Sequence, residues 1–329
     1  MRIFSGIQPT GQKTFGNYAG GFRQYAATQE QGEAYFCIVD LHSITIEYEP
    51  AELREATLDL GAMLFATGLD PKRSTVFVQS HNPAHAEAAW LLSAATAFGE
   101  LRRMTQFKDK SEAHEFVSAG LFSYPVLMAG DILLYQTHVV PVGDDQRQHV
   151  ELTRDIAERF NTRFGHTFTV PRGQYPEAGA RIMDLTDPEK KMSTSTSPEM
   201  GKVLIVDPPE LVRKKIMSAV TDTGREVRRA ADKPGVTNLI EIMSVATGRD
   251  PADIEHDYEG QGYGRFKTDV ADAVIALLTP IQRRYAELRA DQTELERLLA
   301  QGARKAIESA RPTLQAMYDR MGFTRRHPD

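Results

Sequence analysis

Short apolar runs alternate with longer helical stretches through the first half of the chain, and this alternation restricts the fold more than any other feature of the sequence. Runs with the length and composition of buried strands lie at residues 3–7, 35–40, 74–79 and 139–142. The intervening segments 52–67 and 84–96 carry apolar residues at helical spacing. This alternation predicts an α/β fold, a parallel sheet with helices on both faces.

The second half has a different pattern, because convincing strand-like runs end before Pro208. Helical apolar spacing recurs instead at residues 208–220, 236–247, 251–258, 266–289 and 293–320. We therefore expect residues 201–329 to be an all-helical domain that follows an α/β domain at residues 1–200. The join, within 190–201, is rich in Ser and Thr and is expected to be a mobile loop.

Composition excludes several classes of protein. The 329-residue chain contains no apolar run near the roughly 20 residues that a membrane helix needs, and its first residues lack the apolar core of a secretory signal. The single cysteine, Cys37, excludes an internal disulfide and a cysteine-based zinc site. We expect a protein of the reducing cytoplasm, with no membrane partner.

The net charge of −6 argues against a chain coated by nucleic acid, but the charges are unevenly distributed. Residues 1–200 carry 18 Lys and Arg against 25 Asp and Glu, whereas residues 201–329 carry 21 against 20. Basic residues concentrate at Arg213, Lys214, Lys215, Arg225, Arg228 and Arg229. This stretch is either a surface for a polyanion or a set of solvated helix faces.

The first strand runs into a glycine-punctuated loop, Gln8-Pro-Thr-Gly11, which leads through Thr14-Phe-Gly16-Asn17 into a helix. A loop at a helix N-terminus exposes backbone N–H groups and the positive end of the helix dipole, which suits a nucleotide phosphate. The alternative is a plain turn with Thr14 as the helix cap. Neither a Walker-type loop nor a Gly-x-Gly-x-x-Gly turn is present in the sequence, so P-loop and dehydrogenase functions lose support.

One carboxylate, Asp131, stands in the apolar stretch between Tyr124 and Tyr135. On a helix it shares its face with apolar residues such as Met128, so it is expected to point into an apolar pocket or core. A buried charge must find hydrogen-bond donors. Asp131 is therefore either a structural group bonded to a backbone N–H or a histidine, or the acceptor for a ligand N–H.

The strand at 139–142 is followed by a second glycine and helix start, Gly143-Asp-Asp-Gln146. The backbone at Gly143 and the carboxylates of Asp144 and Asp145 suit ribose hydroxyl groups, and Gln146 could reach a substrate. The alternative is a capping box formed by Asp145 and Gln148. His42 follows another strand and is a weaker candidate for the same pocket.

Lysines and closely spaced hydroxyl groups mark two further segments. Lys190-Lys191-Met192-Ser193-Thr194-Ser195 could close over phosphates, with an ammonium neutralising the charge of a departing pyrophosphate, or it could be a polar linker. Lys108 and Lys110 lie one residue apart in an expected loop and carry little weight alone.

The two nucleotide segments together resemble the signature motifs of class I aminoacyl-tRNA synthetases. Further phrases between and after them resemble those of the bacterial tryptophanyl-tRNA synthetases within that class: Phe36-Cys-Ile-Val-Asp40, Arg103-Met-Thr-Gln-Phe-Lys108, Ala129-Gly-Asp-Ile-Leu-Leu-Tyr135, Gly143-Asp-Asp-Gln-Arg-Gln-His149 and Ser218-Ala-Val-Thr-Asp222. The resemblance spans nearly the whole chain, and the combination of motifs is highly specific.

This resemblance implies a homodimer with a Rossmann-type catalytic domain and a helical anticodon-recognising domain, and with tryptophan, ATP with Mg²⁺, and the tryptophan tRNA, not DNA, as partners. It implies ATP contacts from Gln8, Pro9, Thr10, Gly16, Asn17, Gly143, Asp144, Asp145 and Ile182, and from the closing loop Lys191, Met192, Ser193, Thr194 and Ser195. It places Asp131 on the indole N–H, with Phe4, His42, Tyr124, Met128 and Gln146 around the amino acid. Lys191, Lys108, Lys110, Ser193 and Ser195 would act on the phosphates during the reaction.

The sequence departs from the class pattern at two places. Thr14 and Asn17 stand where the general motif has histidines, a substitution familiar in this family. Thr194 replaces the second lysine of the closing loop, so stabilisation of pyrophosphate must fall on Lys191, Lys108, Lys110, Mg²⁺ or Lys202. The departure leaves open a regulatory paralogue with weak aminoacylation, and a tyrosine-specific relative is the other alternative.

Overall fold

A five-stranded parallel sheet forms the centre of the fold in the computed structural model, which describes residues 1–107, 116–175 and 181–324. The strands are β1 (Arg2–Ile7), β2 (Glu33–Ile38), β3 (Ser74–Val78), β4 (Val139–Pro141) and β5 (Arg172–Gln174), in the spatial order β3-β2-β1-β4-β5. The α/β prediction and its four strands are confirmed. The fifth strand was missed because its sequence, Arg-Gly-Gln, has no apolar run.

Helices connect the strands and continue beyond them. The chain folds into α1 (Phe15–Asn17), a π-helical turn (Tyr18–Phe22), α2 (Arg23–Thr28), α3 (Asp40–Ser43), α4 (Pro50–Ala66), α5 (Ala84–Ser93), α6 (Phe98–Arg102), α7 (Ala119–Leu133) and α8 (Arg147–Phe164). The later helices are α9 (Pro209–Met217), α10 (Pro234–Thr247), α11 (Pro251–Asp257), α12 (Tyr263–Ala290) and α13 (Gln292–Met321). All five helices expected after Pro208 are present.

Side chains of the central strands alternate between two apolar cores, one on each face of the sheet. Phe36 and Val76 belong to the core that α4, α9, α10 and α12 complete. Their neighbours Tyr35 and Phe77 belong to the other core, with α5, α7 and α8. This alternation follows from the two-residue period of a strand, and it explains why β2 and β3 carry apolar residues at consecutive positions.

The last helix, α13, returns to the sheet and packs along the edge strand β3. Close approach is possible because residue 302 is glycine: a Cβ there would lie 1.8 Å from the carbonyl oxygen of Val76. Further along, the Ser309 hydroxyl lies 2.7 Å from the hydroxyl of Tyr35 on β2. The helix thereby covers a sheet edge that would otherwise stay open.

Among the described residues, none of the helices combines the length and the apolar composition required to cross a bilayer.

Replacing Gly302 by Ala should destabilise the fold, because the new methyl group would overlap the backbone of β3. We expect a loss of about 3 kcal/mol in the free energy of unfolding, measured by urea denaturation. Gly264→Ala is the matched control, since a Cβ there meets no atom within 4 Å and helical Ala is favoured over Gly. Equal stability of the Gly302 variant and wild type would contradict this packing.

Candidate functional site

A cavity of about 410 Å³ opens at the carboxyl ends of β1, β2 and β4, where open parallel sheets bind ligands. Its walls come from β1 and the loop after it, from α3, from α7 and from the segment after β4. The six residues predicted around an amino acid all line it: Phe4, His42, Tyr124, Met128, Asp131 and Gln146. The fold thus brings these sequence-predicted residues into one space.

Asp131 lies on α7 with 1% of its surface exposed and receives three hydrogen bonds. His42 Nε2 donates to Oδ2 over 2.8 Å, while Gln79 Nε2 and His85 Nδ1 each donate to Oδ1 over 2.6 Å. Burial alone would raise the pKa of Asp131, but the hydrogen bonds from both histidines outweigh it and lower that pKa to about 2. The carboxylate is therefore ionised, and Oδ2 keeps acceptor capacity toward the cavity.

Behind Asp131 the hydrogen bonds continue into the core. His85 uses Nε2 to contact the Tyr135 hydroxyl over 2.8 Å, and Asn82 Nδ2 donates to that hydroxyl over 3.1 Å. Because Asn82 already donates to the phenol oxygen, the phenol proton is free to point at His85 Nε2. His85 thus connects the two groups, with Nδ1 facing Asp131 and Nε2 facing the Tyr135 hydroxyl.

One wall of the cavity is aromatic. The ring of Tyr124 lies edge-on to the imidazole of His42, with 6.2 Å between centroids. Its hydroxyl lies 2.7 Å from Nε2 of His149, and burial raises its pKa to about 12. Phe4 also lines the cavity, and its ring stacks on the ring of Tyr135 with 5.6 Å between the centroids. A flat apolar ligand with one N–H donor would match this wall and the carboxylate beside it.

The first loop ends in a capping box at the start of α1. Thr14 Oγ1 accepts from the Asn17 backbone N–H over 3.2 Å, and Asn17 Oδ1 accepts from the Thr14 N–H over 2.8 Å. The capping interpretation of Thr14 is thus confirmed. It is compatible with ligand binding, because Gln8 and Thr10 line the cavity beside Asp131 and Asn17 lines a smaller one of about 230 Å³.

The second loop forms a single helical turn at Asp144–Gln146 before α8 begins. Gln146 Nε2 donates to Asp145 Oδ2 over 2.7 Å. The predicted capping box of Asp145 and Gln148 is wrong: α8 starts without a side-chain cap, and Gln148 Oε1 accepts from the Thr105 N–H over 3.0 Å instead. Gly143 lines both the cavity of Asp131 and a neighbouring cavity.

That neighbouring cavity, about 910 Å³, contains a second group of predicted residues. Its lining includes Gly16, Gly143, Asp145, Ile182 and Lys191. The two cavities share wall residues, so a ligand in one lies next to a ligand in the other. This adjacency is what a reaction between two bound substrates requires.

The segment 191–197 folds against the first loop. Met192 is buried, and its N–H donates to the carbonyl of Ile182 over 3.0 Å. The hydroxyl groups of Ser193 and Ser195 lie 3.4 Å apart, and Thr194 Oγ1 donates to the Gln12 carbonyl over 3.0 Å. The segment therefore lies against the first loop, and Lys191 is the residue of it that lines the neighbouring cavity.

Three of the predicted site residues make none of the contacts described above, and two partners of Asp131 were not predicted from the sequence. Pro9 is buried within the first loop, and the predicted lysines 108 and 110 lie outside the described residues. Sequence reasoning passed over Gln79 and His85, the second and third partners of Asp131. Both follow the end of β3, and that position was the signal that could have found them.

Lys13, in the first loop, also lines the cavity of Asp131. Its ammonium group donates to the carbonyl oxygens of Thr10 over 2.6 Å and Gln8 over 3.3 Å. Burial lowers the pKa of Lys13 to about 8, and no described carboxylate lies close enough to raise it. A neighbouring anion would favour the charged form of this lysine.

Much of the basic stretch at 213–229 is already paired. Arg213 bonds to Asp272, Arg228 to Glu226 and Arg229 to Glu255. Lys215 has no exposed surface and binds Asp207 over 2.7 Å, so the prediction that it could touch a polyanion is wrong. Lys214 and Arg225 are exposed and have no ion pair to a described residue.

Comparison with known proteins gives one consistent family. The family model described as class I tRNA synthetases (W and Y) matches residues 1–279. A tryptophan–tRNA ligase of Clostridium tetani is 52% identical over 322 residues, which cover 98% of this chain and 95% of that protein. One from Listeria monocytogenes is 52% identical over 326 residues, 98% of each chain.

Solved structures agree with the sequence relatives. The tryptophanyl-tRNA synthetase of Mycoplasma pneumoniae superposes with a TM-score of 0.86 at 37% identity, covering 98% of both chains. That of Campylobacter jejuni, complexed with ADP and tryptophan, also gives 0.86, at 33% identity over 98% of this chain and 100% of that one.

Acidification should remove the stability that ionised Asp131 contributes. Its pKa is about 2 in the folded chain and about 3.9 in an unfolded one, so the contribution is complete above roughly pH 4 and declines as the pH falls toward 2. Between pH 5 and 2.5, urea unfolding should show wild type losing about 2 kcal/mol more than Asp131→Asn, which cannot titrate. Identical pH profiles would contradict the assigned hydrogen bonds.

Proposed function

The chain belongs to the family of class I tRNA synthetases for tryptophan and tyrosine, and from that membership we propose how its own residues carry out the reaction. It is a tryptophan–tRNA ligase, and it uses ATP. The two alternatives find no support. Relatives about half identical over nearly the full chain are tryptophan ligases, which argues against both a regulatory paralogue and a tyrosine-specific enzyme.

The buried carboxylate of Asp131 is the observation that carries the assignment of the amino-acid site. Indole has an N–H donor and no acceptor, and a carboxylate is an acceptor without a donor. Phenylalanine would leave the charge of Asp131 without a ligand partner, while the aromatic wall of Phe4 and Tyr124 accommodates a flat ring. Asp131 therefore selects tryptophan, and Gln146 and His42 complete the surroundings of the amino acid.

The nucleotide lies in the cavity next to the amino acid. Gly143, Asp144 and Asp145 hold the ribose, and buried Ile182 lies against the adenine. Gln8, Pro9, Thr10, Gly16 and Asn17 face the rest of ATP from the first loop. This placement of ATP is supported by one cavity, which Gly143 and Asp145 line together with Ile182 and Lys191.

The reaction has two steps and needs no side-chain nucleophile. The tryptophan carboxylate attacks the α-phosphorus of ATP, the bond to the bridging oxygen breaks, and pyrophosphate leaves with the electron pair. A ribose hydroxyl at the tRNA 3′ end then attacks the acyl carbon and displaces AMP. The protein contributes positioning and charge, with Lys191, Lys108, Lys110, Ser193 and Ser195 on the phosphates.

Mg²⁺ enters, in this proposal, as part of the ATP complex. Phosphate oxygens are the hard ligands that Mg²⁺ prefers. Among the described residues, no group of three or more His, Cys, Asp or Glu side chains is arranged to hold a metal ion. None of the roles given to side chains above depends on the metal.

We place catalysis in residues 1–200 and anticodon recognition in the helices of 201–329, in a protein that works in the cytoplasm. The tRNA surface includes the exposed cations Lys214 and Arg225, whose charges are not already paired with described carboxylates. This assignment revises the sequence interpretation, because Lys215 is buried.

A homodimer is the expected assembly. Large apolar side chains are exposed on and beside α5, α6 and α7: Trp90 is 78% exposed, Phe98 68% and Phe116 84%. Both α5 and α6 pack against α7. An exposed apolar group of this size supports burial against a second copy of the chain.

The amino acid specificity can be tested by ATP–pyrophosphate exchange with a panel of amino acids. Wild type should activate tryptophan selectively and then charge tryptophan tRNA. Asp131→Ala should lose at least about 10³-fold in kcat/KM for tryptophan, since a site built to bond a substrate donor depends strongly on that bond.

Asp131→Asn is the matched control, because it keeps the shape and an acceptor oxygen but removes the charge. It should retain more activity than Asp131→Ala while circular dichroism shows both variants folded. Selective exchange with tyrosine in wild type would overturn the function. Unchanged tryptophan kinetics in Asp131→Ala would overturn the role of Asp131 alone.

Salt dependence tests the tRNA surface. Lys214→Ala and Arg225→Ala should each lower the slope of log binding constant against log salt by about 0.7 to 0.9 if the residue touches a phosphate, without changing tryptophan activation. Lys72→Ala, at an exposed position after α4, is the control and should leave the slope unchanged. Unchanged slopes in both test variants would place the tRNA surface elsewhere.

A further inference from the structure

Thr194 lies directly on the first loop. Its hydroxyl donates to the Gln12 carbonyl over 3.0 Å, and a Cβ at Gly11 would lie 2.8 Å from its methyl group. Lys202 Nζ donates to the Thr194 carbonyl over 2.6 Å. Threonine at position 194 carries no charge, and the ammonium of Lys202 is directed to the backbone of the closing segment. Lys202 lines none of the three cavities described above, so neither position presents a cation to them.

Lys13 follows Gln12 in the sequence, and its side chain points into the site. Lys13 lines the cavity of Asp131 and also the smaller cavity of about 230 Å³, which Gly16, Asn17 and Lys191 line as well. Lys13 from the first loop and Lys191 from the closing segment therefore face one common space.

The ammonium group of Lys13 has no charged partner among the described residues. Its hydrogen bonds go to the main-chain carbonyl oxygens of Gln8 and Thr10, which are neutral. A partly buried cation bonded only to neutral groups is costly, and an anionic ligand would offset that cost. An ammonium has three donors, so one remains for such a ligand.

We propose that Lys13 is a catalytic residue that binds the ATP phosphates and stabilises the departing pyrophosphate, in place of the lysine missing at position 194. The inference rests on the proposed function. As the carboxylate oxygen of tryptophan bonds to the α-phosphorus, the bond to the bridging oxygen breaks and its electron pair goes to pyrophosphate. Lys13 stays protonated throughout and donates a hydrogen bond to the developing charge.

Single-turnover formation of tryptophanyl-adenylate tests this role. Lys13→Gln keeps a donor for the Thr10 carbonyl but removes the charge, and it should slow adenylate formation by about 10² to 10³-fold. Tryptophan binding, measured by equilibrium dialysis, should change less than about threefold, because the interaction strengthens as charge develops. Lys13→Arg should keep most of the rate. Lys72→Gln is the control for loss of a lysine.

A double variant that moves the positive charge from position 13 to position 194 makes the test specific. The double variant Lys13→Gln, Thr194→Lys should form adenylate at least about tenfold faster than Lys13→Gln alone, because the new lysine places an ammonium in the site from the closing segment. A structural role for Lys13 would show no such recovery.

The proposal is overturned if Lys13→Gln forms adenylate at the wild-type rate, or if Thr194→Lys fails to improve a folded Lys13→Gln protein. If Lys13→Gln does not fold, as judged by circular dichroism, Lys13→Arg and Lys13→Met decide: a folded Met variant at the wild-type rate overturns the role. Failure of wild type to form any tryptophanyl-adenylate would instead overturn the proposed function.

Discussion

The site depends on one buried negative charge. Asp131 is almost without solvent contact, and an isolated carboxylate in that position would be strongly unfavourable. Hydrogen bonds from His42, Gln79 and His85 offset the desolvation, and these donors come from three different elements after β2 and β3. The same bonds fix where those elements stand relative to α7, so the shape of the amino-acid cavity follows from the stabilisation of Asp131.

The charge is also kept ionised by its partners. Since the Tyr135 hydroxyl can donate to His85 Nε2, the imidazole proton is directed to Asp131. An acceptor held in one position and one protonation state distinguishes ligands with an N–H donor from ligands of similar size without one. The selectivity for indole that we propose and the stability of the core therefore depend on the same hydrogen bonds to Asp131.

The region that we propose for the nucleotide depends on contacts between segments far apart in the chain. Backbone hydrogen bonds join Phe15 to Val203 and Ile205 to Lys13, and a bridge pairs Thr14 with Leu204. These bonds hold the first loop against the segment that follows Lys191–Ser197. The surroundings of Lys13 therefore depend on the segment 203–207, which leads directly into α9.

The sequence by itself determined four strands of the sheet and the helices after Pro208, because buried strands and amphipathic helices leave periodic apolar patterns. The six residues expected around the amino acid were named as a set through the resemblance of their motifs to a known family. The polar strand β5, the partners Gln79 and His85, the burial of Lys215 and the position of Lys13 were decided only by the tertiary structure. Each depends on which distant group lies opposite: Lys215 and Lys214 are adjacent lysines of one helix, yet one faces Asp207 in the core and the other faces solvent. Local sequence specifies the period of an element, whereas the partner of a charge is fixed by packing between elements.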